Sequence, residues 1–149
     1  MKSIRRFLNG CCILFALSAQ AEVVDIDNNE LARLSASGVP VIDIRTVGEW
    51  EETGIVPGSH LLTFFDERGN AAPAAWLDKL QRVTKPGEPV AVICRSGNRT
   101  KAVSQFLSGK AGYAKVYNVK GGIRSWLGEG RKVVPAAPVI AGCKRTNAC

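Results

Sequence analysis

The 149-residue chain carries 20 Lys and Arg against 13 Asp and Glu, a formal net charge of +7. That length allows one domain with a single core. No long Lys/Arg run, internal repeat or low-complexity tract accompanies the charge, so no nucleic-acid partner is expected. A small anionic substrate fits the basic balance.

The first 21 residues, MKSIRRFLNGCCILFALSAQA, run from basic through apolar to small, the order of a secretory signal peptide. Their apolar run is far shorter than the roughly 20 residues needed to span a bilayer, so no stable membrane anchor is expected. Acylation at Cys11 fits poorly, because the apolar region mostly follows that cysteine. The expected organisation is a signal peptide over 1–21, one domain over 22–135 and a C-terminal tail over 136–149. The expected location is across the inner membrane, in the periplasm. The signal removes three basic and no acidic residues, leaving a net charge of +4.

After a short apolar start, Val23 to Ile26, the segment DNNELARLSASG places Leu31 and Leu34 at helical spacing. Asp27 and Glu30 have the spacing of a capping box, and Gly38 is a plausible stop. VPVIDI, residues 39–44, reads as a buried strand, and GSHLLTF as another. AAWLDKLQRV puts Trp76, Leu77 and Leu80 on one helical face; KPGEP then breaks the chain before the strand VAVI, residues 90–93. A helix from about Thr100 to Leu107, a strand KVYNV and a helix around Ile123 to Leu127 complete the series. Alternating strands and helices predict an open, mostly parallel α/β sheet. Ligands of such sheets bind beyond the carboxyl ends of the strands.

Cys94 stands there, after a buried strand and before a helix, in CRSGNRT. Inward-facing amides of that loop and the positive end of the following helix stabilise a thiolate or a bound anion. Gly97 permits a backbone conformation that a β-carbon opposes. Arg95 and Arg99 add cations. The bland alternative is a small apolar residue closing a core strand, but two arginines among Ser96, Gly97, Asn98 and Thr100 favour function.

Without the signal three cysteines remain, Cys94, Cys143 and Cys149. An odd count in an oxidising compartment leaves one thiol free or paired with another molecule. The economical pairing joins Cys143 to Cys149 and leaves Cys94 free; Cys94 bonded to one tail cysteine is the competing case. The three lack zinc-finger spacing, and one histidine, His60, disfavours a His-rich metal site.

Three stretches, VIDIRTVGEWEETGIVPGSHLL, CRSGNRT and GYAKVYNVKGGIRSWLGEG, together resemble a single-domain rhodanese, the thiosulfate sulfurtransferase fold, in its secreted form. The resemblance spans about residues 25 to 133. It implies a five-stranded parallel sheet flanked by helices, with Cys94 carrying a persulfide and no metal or organic cofactor. Related phosphatases place five residues between cysteine and arginine; here four separate Cys94 from Arg99, which resembles the sulfurtransferases. The chain departs from the family in carrying Gly54-Ile55 where members often have Gly-His.

The mechanism implied is a two-step transfer from thiosulfate or a similar small anionic donor to a thiol or cyanide acceptor. Arg95 and Arg99 attract the dianion, the amides from Arg95 to Thr100 hold the charged sulfur, and Ser96, Asn98 and Thr100 bond to the loop or shape it. Asp43 and Arg45 match the family's Asp-x-Arg and are expected as supports or partners of the loop arginines. Glu49 and Trp50 match the pattern too; Trp50 and Trp126 fill the core, and Gly121-Gly122 packs tightly near the loop. The competing reading is a module that relays a persulfide or binds an oxyanion for a partner protein without turnover. A thiol–disulfide exchanger ranks last, since the mature chain lacks a Cys-x-x-Cys pair.

Overall fold

The computed structural model describes residues 21–146. The expected leader, apart from Ala21, and Cys149 of the expected disulfide lie outside the described residues.

Five parallel strands form one sheet: β1 (Glu22–Ile26), β2 (Val41–Asp43), β3 (His60–Leu61), β4 (Val90–Ile93) and β5 (Lys115–Val119), in the order β1-β5-β4-β2-β3. Six helices flank it among the described residues: α1 (Asn28–Ala36), α2 (Val47–Thr53), α3 (Pro73–Leu80), α4 (Asn98–Gly109), α5 (Gly122–Gly128) and α6 (Ala137–Arg145). The expected α/β architecture is therefore present.

Strand β4 occupies the centre and is buried at every position. Because side chains alternate along a strand, Val90 and Val92 pack with Trp76, Leu80, Val103 and Leu107 of α3 and α4. Ala91 and Ile93 face the other way, toward Leu31, Leu34, Ile123 and Trp126 of α1 and α5. A strand covered on both faces has no polar side to show, which is why VAVI is continuously apolar. Cys94 continues the first parity and belongs to the α3/α4 layer.

Several boundaries differ from expectation. The strand expected over 39–44 narrows to β2, and GSHLLTF yields the two-residue β3, although Leu62 and Phe64 still donate to Asp43 and Ile44 carbonyls. Helix α4 begins two residues earlier than Thr100, with Gly97 as its cap. At α1, Asp27 accepts from the Glu30 amide, but Glu30 turns outward to Arg33, so only half of a capping box forms.

Two helices go beyond the expected elements. Helix α2 is opened by a capping box between Thr46 and Glu49, and α6 arises in the segment expected to be a tail. Ala136 and Ile140 pack on Trp50, Ile55 and Leu61, a third apolar cluster outside the main core. An antiparallel bridge between Ile55 and Val134 leads the chain into it.

Asp43 and Arg45 leave the end of β2 as a completely buried ion pair, 2.7 Å apart. All five guanidinium hydrogens are used: Nε and Nη2 donate to the Asp43 carboxylate, Nη1 to Thr53 Oγ1 and the Glu49 carbonyl, and Nη2 also to the Gly54 carbonyl. The pair thus joins strand β2 to the last turn of α2, where helix carbonyls lack intrahelical partners. The expected alternative, bonding to the loop arginines, is not what forms. Removing one member of a buried pair strands the other, at a cost of about 3–5 kcal/mol. Urea unfolding should show Arg45→Ala losing that much and Asp43→Leu/Arg45→Met regaining most of it. A loss below about 1 kcal/mol for the single variant would contradict this assignment.

Candidate active site

The central strand delivers Cys94 to the carboxyl edge of the sheet, where the residue is 1% exposed. Its Sγ accepts a hydrogen bond from the Gly97 amide at 3.2 Å and lies 3.6 Å from Thr100 Oγ1. Thr100, buried in the first turn of α4, also donates to the Gly97 carbonyl at 2.9 Å. Gly97 caps the helix with φ of 90°, a left-handed conformation that costs glycine little. That turn returns the chain toward the sulfur, so an amide and a hydroxyl meet it from the head of a 12-residue helix. The amides of the first turn lack intrahelical acceptors, which makes this the positive end of α4.

The loop is braced from below by the start of α5. Ile123 and Arg124 donate their amides to the carbonyls of Cys94 and Arg95, at 2.9 and 3.1 Å. Gly122 makes this approach possible: a β-carbon there would collide with the Cys94 carbonyl oxygen. The tight packing expected of Gly121-Gly122 is thereby located at one contact.

The two loop arginines differ sharply. Arg99 is held by Glu49 of α2 through two hydrogen bonds of 2.8 and 2.5 Å. Burial opposes ionisation of Glu49, but the bonds from Arg99 and the Thr46 amide, with the charges of Arg99 and Arg45, bring its pKa down to about 2. The hydrogen bonds to Glu49 correspondingly raise Arg99 above its ordinary value, against partial burial and with help from Glu49's charge. Arg95 is exposed, as is Ser96, and Asn98 is close by at the start of α4. The Arg95 side chain has no hydrogen-bond or ion-pair partner among the described residues. The loop's intrinsic charge is therefore carried by Arg95, while Arg99 is half of an ion pair.

Other residues singled out in the sequence lie apart from the sulfur. Asp43 and Arg45 support α2 as described above. Trp50 and Trp126 fill the third and second apolar clusters respectively, the latter donating from Nε1 to the Lys132 carbonyl. His60 is an exposed residue opening β3 whose pKa is lowered by desolvation. The sulfur's partners are Gly97 and Thr100, not His60. Cys143 is disulfide-bonded, and Cys94 is the free cysteine among the described residues.

The sheet order, the cysteine at the end of its middle strand and the glycine-turned loop define a class, and comparison with known proteins gives it a name. The Rhodanese-like domain family matches residues 27–129, and the chain belongs to that family. Thiosulfate sulfurtransferase 18 of Arabidopsis thaliana is 31% identical over 112 residues, covering 71% of this chain and 79% of its own. Rhodanese-like domain-containing protein 17 of the same plant is 25% identical over 113 residues, covering 73% and 71%. Among solved structures, a rhodanese-related protein from Thermoplasma volcanium is 28% identical with a TM-score of 0.57, covering 74% of this chain and 97% of that one. The polysulfide-sulfur transferase homodimer of Wolinella succinogenes shares the fold at 22% identity and a TM-score of 0.59, covering 78% and 81%.

The Glu49–Arg99 pair predicts a specific acid response. A carboxylate whose folded pKa lies below its unfolded value stabilises fully above about pH 4.5 and loses that contribution as pH falls toward 2. In urea titrations from pH 7 to pH 2, Glu49→Gln should be less stable than the wild type at pH 7. The gap should close across the acid window. Parallel curves for the two proteins would contradict the assignment.

Proposed function

We propose that this chain is a sulfurtransferase that carries sulfane sulfur on Cys94. The observation that supports the reading best is the cysteine's setting: a free thiol at the end of the central strand, with the Gly97 amide donating to its sulfur and the Thr100 hydroxyl oxygen 3.6 Å from it at the head of α4. Membership of a family with relatives named as sulfurtransferases supports it independently.

In the first step the Cys94 thiolate attacks the outer sulfur of thiosulfate. A new sulfur–sulfur bond forms, the bond to the sulfonate sulfur breaks, and its electron pair leaves with sulfite. The loop donors stabilise the negative charge of the resulting persulfide. In the second step a nucleophile such as cyanide or a thiol takes the outer sulfur, and the electron pair of the broken bond returns to Cys94 as thiolate. Splitting the transfer this way is covalent catalysis. Glu49, by fixing Arg99 at the second residue of α4, positions the loop and does not compete for the donor. The leader-like residues 1–21 support a periplasmic site of action, where small inorganic donors and low-molecular-weight thiols are the substrates of this proposal.

Covalent transfer through one residue has a kinetic signature. Thiocyanate formation should follow double-displacement kinetics, with parallel reciprocal plots as thiosulfate and cyanide are varied, and Cys94→Ser should lose on the order of 10³-fold or more in rate. Intersecting plots, or appreciable turnover by the serine variant, would reject the carrier role. Persulfide formation without turnover would favour the relay reading.

A further inference from the structure

The Rhodanese-like match ends at residue 129, yet the chain beyond it packs against the helix that holds Arg99. Ile55, just after α2, and Val134 exchange two backbone hydrogen bonds of 3.0 Å. Gly54 makes room for that approach: at its φ of 74°, a β-carbon would stand 2.9 Å from the Val134 carbonyl oxygen and 3.1 Å from the Val133 side chain. The carbonyl of the same glycine accepts from Arg45 Nη2. Helix α6 follows and closes the cluster of Trp50, Ile55, Leu61, Ala136 and Ile140, in which Ile140 is 6% exposed.

Trp50 is where that cluster meets the site. It is the one side chain that α2 buries, and its Nε1 has no hydrogen-bond partner among the described residues, so apolar packing holds the ring. The adjacent Glu49 grips Arg99 through two hydrogen bonds. Neighbours on a helix point in different directions, so Trp50 reaches the α6 cluster while Glu49 reaches α4. Helix α2 has only two turns, and whatever tilts Trp50 moves Glu49 with it. Arg99 is the second residue of α4, beside the Gly97 amide and the Thr100 hydroxyl that meet the sulfur.

We propose that Ile140 is a positioning residue for Cys94: packed with Trp50, it clamps α2, and through Glu49 and Arg99 it sets the head of α4 at the sulfur. The inference rests on Cys94 as the reacting group of the reading above, and it adds to the machinery a helix that lies outside the family match. Arg45 holds the polar end of α2, and Ile140 holds its apolar face.

The test follows the loop itself. Amide hydrogen exchange is measured by NMR at Gly97, which donates to the sulfur, and at Lys101, which donates to the Gly97 carbonyl. Ile140→Ala should accelerate both about ten-fold by local opening. Leu34→Ala removes a buried aliphatic side chain on the other face of the sheet and should leave both within two-fold. In a Glu49→Gln background, Ile140→Ala should add less than about two-fold, because the link is already cut. Should Ile140→Ala fail to fold, Ile140→Val carries the same comparison with an effect of about three-fold. Thiocyanate formation by the Ile140 variant should fall about five-fold in kcat with the thiosulfate KM within two-fold.

Exchange at Gly97 and Lys101 that ignores Ile140, that responds equally to Leu34→Ala, or that responds undiminished in the Glu49→Gln protein would overturn the clamp. So would sulfur transfer whose kcat is indifferent to Ile140. Ile140-dependent exchange in a protein that transfers no sulfur would uphold the clamp while removing the transfer reading.

Discussion

The buried Asp43–Arg45 pair is the constraint from which the site is assembled. A fully desolvated guanidinium is tolerable only when every donor is satisfied, and here the partners come from the end of β2 and from the end of α2. That requirement fixes α2 against the carboxyl edge of the sheet. The short helix has little apolar surface of its own, burying Trp50 alone. Once it is fixed, Glu49 stands where it can grip Arg99, and the grip sets the head of α4 relative to the cysteine. A polar network two residues beyond β2 therefore reaches the sulfur through one helix and one ion pair.

A second constraint acts from the opposite side. The carbonyls of Cys94 and Arg95 are taken up by α5 amides, which only the absent side chain of Gly122 allows to come so close. With the carbonyls occupied there, the Gly97 amide and the positive end of α4 are left for the sulfur. Electrostatically the site is basic at its rim and neutralised in its depth. Arg95 and Arg124 stand unpaired among the described residues, while Arg45 and Arg99 are matched by carboxylates. Charge is thus offered at the entrance, and the thiol meets oriented dipoles.

What was legible in the sequence is what local pattern controls. The strand VAVI is apolar throughout because it is covered on both faces, and the glycine, small polar residues and arginines that follow mark the loop by composition alone. Helix α2 is hidden at that level because polar contacts hold it in place, leaving no apolar stripe to detect; its Thr46–Glu49 capping box was the available signal. Helix α6 is hidden because it buries Ile140 alone, against Trp50, Ile55 and Leu61, which lie about 80 or more residues earlier. Arg99 was legible as a loop cation but not as a paired one, since Glu49 is 50 residues away. Arg124 carried no local signal, and only the fold places it beside Arg95.

The central claim is that the loop makes Cys94 a carrier of one extra sulfur atom, and mass decides it most directly. The intact mass of the protein is measured before and after incubation with thiosulfate, then again after cyanide, with Cys94→Ser treated in parallel. The account predicts a gain of one sulfur on the wild type, its removal by cyanide, and no gain on the serine variant. A reduced Cys94 that stays unmodified, or an equal gain on the variant, would contradict it.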